Sequence, residues 1–173
     1  MYRETAARLG REMGAAGIGL VYGGGHVGLM GTVADAVLGA GGEVTGVMTR
    51  ALVDAEVAHA GLTTLEVVDT MHERKARMTE LSDGVIALPG GFGTLDETFE
   101  VLTWNQLGIT ARPVVFLDVG GYYAELLRFV AGAVEAGFVR PEHGMMARRA
   151  TSVTEAIDAA SDGADRGGLP KWI

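Results

Sequence analysis

The sequence predicts a doubly wound α/β fold: a three-layer, Rossmann-like arrangement with a parallel sheet between helices. Three observations predict it. Strand-length runs that are apolar throughout alternate with helix-patterned segments, as in a parallel sheet covered on both faces. Glycine, 27 of 173 residues, falls as punctuation between those segments and not as a linker. Two glycine turns, "GGGHVG" and "PGGFGT", each follow a strand and open a helix. In such sheets ligands bind beyond the carboxyl ends of the strands, and both turns belong at that edge.

In chain order, a polar, helix-prone opening over about residues 3–13 leads to the strand run "IGLVY". "LMGTVADAVLGA" then carries helical spacing and stops at Gly41-Gly42. "VTGVM" reads as a second strand and "LEVV" as a third, after an irregular stretch over 49–62. "TMHERKARMTELS" reads as a helix and "GVIALP" as a fourth strand. "TLDETFEVLTWNQLG" is the next helix, closed by Gly108, and "PVVFLDV" is a fifth strand. A helix over "YYAELLRFVAGAVEAG" follows, and "SVTEAIDAA" opens with the Ser-x-x-Glu spacing of a capping box. One nucleotide-binding domain over 1–160 is expected, with a poorly ordered tail over 161–173.

Composition removes several classes. A net charge of −8 argues against a nucleic-acid binder, which needs concentrated Lys and Arg. A small anion remains possible, because a few arginines and backbone N–H groups can hold a phosphate. There is no cysteine, and the four histidines are scattered without ligand spacing, so no metal is expected. No apolar run approaches a membrane span. The opening residues mix acids and bases from position three, unlike a signal peptide, so cytoplasm is the default location.

The first turn satisfies G-x-G-x-x-G through Gly23, Gly25 and Gly28. A dinucleotide would want an acid at the end of the next strand, but that strand ends at Met48-Thr49-Arg50 and Glu43 precedes it. NAD is therefore not expected. Gly23, Gly24 and Gly25 either let a ligand approach helix N–H groups or serve tight strand–helix packing alone. The second turn lacks the lysine of a P-loop, while Thr94 can cap the helix or donate its hydroxyl to a phosphate. Two such turns on one sheet edge favour an anion site.

Projected at about 100° per residue, Met71, Met78 and Leu81 share one helix face, with Arg74 among them. Glu73, Arg77 and Glu80 take the other side, with Glu73 and Arg77 spaced for an ion pair. An arginine in an apolar stripe needs an anion; snorkelling at the rim of the core is the alternative. The same projection puts Glu97 on a ridge with Val101 and Trp104. Asp96 fits simple helix-dipole placement. Glu97 fits general-base work or stabilisation of a developing cation. Together Arg74 and Glu97 suggest chemistry on a phosphorylated sugar.

The segments "VYGGGHVGLMG", "MHERKARM" and "PGGFGTLDETFEVLTWNQLG" resemble those of the LONELY GUY proteins, cytokinin riboside 5′-monophosphate phosphoribohydrolases. "GYYAELLRFVAGAVEAGF" is similar too, and the likeness covers about residues 2–160. It implies hydrolysis of the N-glycosidic bond of N6-substituted adenosine 5′-monophosphate, with no cofactor. By motif match it implies Arg74 and Glu97 as the catalytic pair. Glu56, Lys75, Gly91, Phe92, Gly93, Thr94, Leu95, Asp96 and Thr103 become substrate contacts. A homodimer meeting near the active site is also implied. Many such proteins carry a lysine decarboxylase label, which would need pyridoxal phosphate; Lys75 and Lys171 are the only lysines, and neither supports it.

Two departures stand out. Family members begin with a further, central strand and a glycine-serine turn that helps hold the phosphate, whereas this sequence begins at the helix after it. An incorrectly assigned translation start would explain this, the alternative being a shortened, weakened or inactive relative. Asp96 stands where relatives often have Glu. Nothing in the sequence sees the N6 substituent, so an AMP nucleosidase and a non-catalytic nucleotide or cofactor carrier remain alternatives.

Overall fold

The computed structural model describes residues 1–55 and 58–162. The chain forms two compact units, Met1–Ser82 and Asp83–Ile173. Each contains a three-stranded, all-parallel sheet flanked by helices.

The first unit runs α1 (Tyr2–Ala15), β1 (Leu20–Tyr22), α2 (Gly28–Gly39), β2 (Val44–Thr49), α3 (Arg50–Asp54), β3 (Thr64–Val68) and α4 (Met71–Leu81). Its sheet order is β1-β2-β3, with Leu20 in register with Val44 and Thr45 with Thr64. Helices α1 and α2 pack tightly because small residues face each other: a Cβ on Gly10 would collide with the backbone of Val33. Leu9, Val33, Val37, Val44 and Val47 are buried there. Removing such side chains from water stabilises the fold by roughly 1.5–3 kcal/mol each.

The second unit runs β4 (Val85–Ala87), α5 (Phe92–Gln106), β5 (Val114–Leu117), a 3₁₀ turn (Val119–Gly121), α6 (Ala124–Glu135), α7 (Pro141–Gly144), β6 (Ala147–Ala150) and α8 (Val153–Ser161). Its sheet order is β4-β5-β6. All four residues of the central strand β5 are buried. Its core joins Ala87, Val101, Val114, Phe116 and Tyr123, with Leu95, Phe99 and Leu102 packed against them.

The five expected strands and the six expected helices all form, within a few residues at their ends. Besides the 3₁₀ turn, three elements escape a reading by apolar runs: the short helices α3 and α7, and the strand β6. β6 reads "ARRA" and pairs with β5 through backbone bonds, which need no apolar side chains. Coverage on both faces holds for β5 but not for β3, an edge strand whose Leu65 and Val67 are exposed. At the start of α8 the expected cap forms, Ser152 Oγ accepting from the Glu155 amide at 3.2 Å. Of the expected C-terminal tail, Ser161 ends α8, and 163–173 lie outside the described residues.

Among the described residues no helix is long and apolar enough to cross a membrane. Nor, among them, do three or more His, Cys, Asp or Glu gather as metal ligands.

Candidate functional site

In the first unit the chain leaves β1 at Tyr22 and enters α2 at Gly28. Gly23 lies directly against Arg74, because a Cβ there would overlap the guanidinium Nη2. Arg74 is only 8% exposed. Its Nε donates to the Val47 carbonyl at 2.9 Å, and Nη2 approaches the Gly23 carbonyl at 3.5 Å. A buried guanidinium is expensive unless its donors are met, and backbone carbonyls meet two of them. The side chain is turned inward and fixed; it does not snorkel.

Around Gly24 the packing is equally close. It has φ +79°, and a Cβ on Gly46 would come within 2.8 Å of its Cα. Its carbonyl accepts from the His59 amide at 2.8 Å, and Gly25 forms an isolated bridge with Ala58. His59 Nδ1 accepts from the Gly61 amide at 3.0 Å. Nε2 therefore carries the ring proton and donates to Asp35 at 2.9 Å. These glycines do serve close packing, since they admit β2, Arg74 and the segment after Ala58. Glu56 lies outside the described residues.

Two expectations for α4 need correction. Met71 is 46% exposed, and the buried residues of the helix are Arg74 and Thr79. As the first helical residue, Met71 directs its side chain back past the packed face. Glu73 does not pair with Arg77. It closes a capping box instead, accepting at 3.0 Å from the amides of Thr70 and Asp69, while Thr70 Oγ1 accepts from the Glu73 amide. Those bonds, from Thr70 first and Asp69 second, hold the Glu73 carboxyl below the usual range. Arg77 pairs instead with Glu66 at 2.7 Å and Glu80 at 3.2 Å. Lys75 is half-buried.

In the second unit Leu88, Pro89 and Gly90 lead from β4 to Gly91, the N-cap residue of α5. No side chain caps this helix. Thr94 folds over the turn, so that a Cβ on Gly90 would overlap its Oγ1. The first N–H groups of a helix have no partner within it and carry its positive end. With glycine at 90, 91 and 93, an anion can reach them closely. Phe92, between these glycines, is 95% exposed.

Along α5, Asp96 and Thr103 are exposed and Leu95 and Glu97 half-buried. The expected ridge forms: Glu97 is followed by buried Val101 and half-buried Trp104. Thr103 Oγ1 donates to the Phe99 carbonyl at 2.8 Å, a bond within the helix that leaves its oxygen lone pairs as acceptors.

Several polar residues at the carboxyl end of β5 were not singled out by sequence. Asp118 is buried; its Oδ2 accepts from Arg149 Nε at 2.8 Å and Nη2 at 2.6 Å. Its Oδ1 accepts from the Tyr123 amide at 2.7 Å. The signal was a lone acid ending an apolar strand, followed by "GYY".

The family model described as possible lysine decarboxylase matches residues 30–160. Relatives in plants carry another name. The probable cytokinin riboside 5′-monophosphate phosphoribohydrolase LOGL9 of Oryza sativa subsp. japonica is 51% identical over 82% of this chain and 63% of its own length. The cytokinin riboside 5′-monophosphate phosphoribohydrolase LOG1 of Arabidopsis thaliana is 44% identical over 93% of this chain and 76% of its own. The chain belongs to this family, among its LONELY GUY members. It spans a little under two thirds of LOGL9 and about three quarters of LOG1.

Solved structures share the LONELY GUY-like fold. The molybdenum cofactor carrier protein of Chlamydomonas reinhardtii matches with a TM-score of 0.69 at 22% identity, over 95% of this chain and 89% of its own. The molybdenum cofactor binding protein of Rippkaea orientalis matches with a TM-score of 0.67 at 22% identity, over 90% and 83%. At that identity the likeness is one of fold.

Proposed function

We propose that this chain hydrolyses the N-glycosidic bond of N6-substituted adenosine 5′-monophosphates, giving free base and ribose 5-phosphate. The observation that carries this reading is its identity of 44–51% with relatives named for that reaction. The uncapped, glycine-flanked start of α5 supports it, because such an end suits a 5′-phosphate.

Cleavage of C1′–N9 leaves the electron pair on the base and oxocarbenium character on the ribose. Water adds at C1′, one of its protons goes to the medium, and the base leaves with a proton. Glu97 is assigned to stabilise the positive sugar and orient that water. Glycosidases usually divide such work between two carboxylates; here solvent or a neighbouring group protonates the purine. Arg74, immobilised by Val47 and abutting Gly23, is assigned to the ribose or phosphate through charge-assisted hydrogen bonds. Glu56, Lys75, Thr103 and residues 91–96 are assigned as substrate contacts on the family motif. Residues 1–160 act in this reading as one nucleotide-binding domain, in a cytoplasmic homodimer whose interface lies near the substrate. It requires no cofactor.

Incubation with N6-isopentenyl-AMP, and separately with AMP, followed by chromatography of the bases, tests the reading. Release of the N6-substituted base supports it. Release of adenine alone makes the chain an AMP nucleosidase. Tight nucleotide binding with neither base released makes it a carrier.

A further inference from the structure

The turn that opens α5 is held from behind by two tyrosines that no motif assigned. Tyr123 donates its hydroxyl to the Leu88 carbonyl at 2.5 Å, and Tyr122 donates to the Gly90 carbonyl at 2.7 Å. These two carbonyls flank Pro89, so the peptide planes leading into the N-cap are pinned on both sides. The rings meet edge to face at 5.0 Å, and Tyr123 also meets Phe116 of the core edge to face at 5.0 Å. Burial first, and the adjoining Tyr122 second, push the Tyr123 phenol up to about 12, so it remains a donor throughout the neutral range.

The tyrosines are themselves anchored. Asp118 accepts from the Tyr123 amide through one oxygen and from Arg149 through the other, so its buried carboxylate is satisfied on both sides. Gly120 and Gly121, with φ of +64° and +80°, turn the chain sharply between Asp118 and the tyrosines.

We propose that Tyr122 and Tyr123 are positioning residues that set the Leu88 and Gly90 peptide planes and thereby aim the N–H groups opening α5 at a 5′-phosphate. This rests on the function proposed above. Core packing alone needs the rings but not their hydroxyls. Tyr122 is 45% exposed, so losing its hydroxyl should hardly affect folding.

The test uses Tyr122→Phe and Tyr123→Phe, with ribose 5-phosphate as the calorimetric probe and thermal melting as the control for folding. Activity is compared on an N6-substituted adenosine 5′-monophosphate and on the same riboside without phosphate. Tyr122→Phe is expected to melt like the wild type, bind ribose 5-phosphate about tenfold more weakly, and raise KM for the monophosphate with little change in kcat. Slow cleavage of the unphosphorylated riboside should be unaffected. Undiminished ribose 5-phosphate binding in both variants, or equal losses on both substrates, overturns the inference while leaving the proposed function standing. A wild-type chain that binds no ribose 5-phosphate and releases no base from the monophosphate overturns both.

Discussion

Helices α4 and α5 both follow a strand and begin just beyond its carboxyl end, yet they treat their N-termini in opposite ways. α4 closes its own. Thr70 and Glu73 satisfy each other's backbone donors, and the following turn buries a single guanidinium. α5 has no side-chain cap, enters through glycines, and carries Glu97 half-buried on its second turn. A cap stabilises a helix by about 1 kcal/mol. Where it is absent beside residues that admit close approach, the donors can serve a ligand. The difference teaches that α4 is built to hold Arg74 still and α5 to receive an anion.

Four substitutions break or sharpen that contrast. Glu97→Gln, which keeps shape and removes charge, is expected to lower kcat by about 10²–10⁴-fold with binding of ribose 5-phosphate retained. Steady-state kinetics beside calorimetry check it. Next comes Gly23→Ala. The new methyl meets the end of the Arg74 side chain and not backbone, so the protein should fold and melt within a few degrees of the wild type. Displacing the guanidinium by about an ångström should lower kcat/KM by about 100-fold.

Gly91→Asp gives α5 the cap it lacks. A Cβ at Gly91 meets nothing within 4 Å. Stability should be unchanged or higher by a few tenths of a kcal/mol, while KM for the monophosphate rises about tenfold because the carboxylate competes for the phosphate position. Smallest in effect on catalysis is Thr70→Ala, which uncaps α4. It should cost about 1 kcal/mol by chemical denaturation and leave kcat/KM close to that of the wild type.

Glu73 adds a dependence on pH. Its carboxyl lies below the usual value in the folded chain. The stabilisation is therefore complete above the unfolded pKa and lost as pH falls through the folded one. Glu73→Ala should melt earlier than the wild type at neutral pH, and the difference should shrink as acid protonates the Glu73 carboxylate of the folded chain.

The alternating architecture was legible because buried strands of a parallel sheet announce themselves by continuous apolar runs. β6 was not, since "ARRA" pairs through its backbone while Arg148 and Arg149 bond to Ala159 and Asp118. Arg74 could be picked out because a charge among apolar neighbours demands a reason. That its partners include the Val47 and Gly23 carbonyls could not, because such contacts span 27 and 51 residues of sequence. The i, i+4 spacing of Glu73 and Arg77 allows an ion pair, but the amides of Asp69 and Thr70 offer Glu73 two backbone donors instead. The tyrosine brace was hidden for the same reason, its hydroxyls reaching backbone 32 and 35 residues away.

The contrast between the two helix ends is tested most directly by titrating ribose 5-phosphate into the isotope-labelled protein and following backbone amide resonances. The account predicts that the amides of Phe92, Gly93 and Thr94 shift with the ligand, while the capped amide of Glu73 does not. Movement of Glu73 with the opening of α5 unperturbed would contradict it.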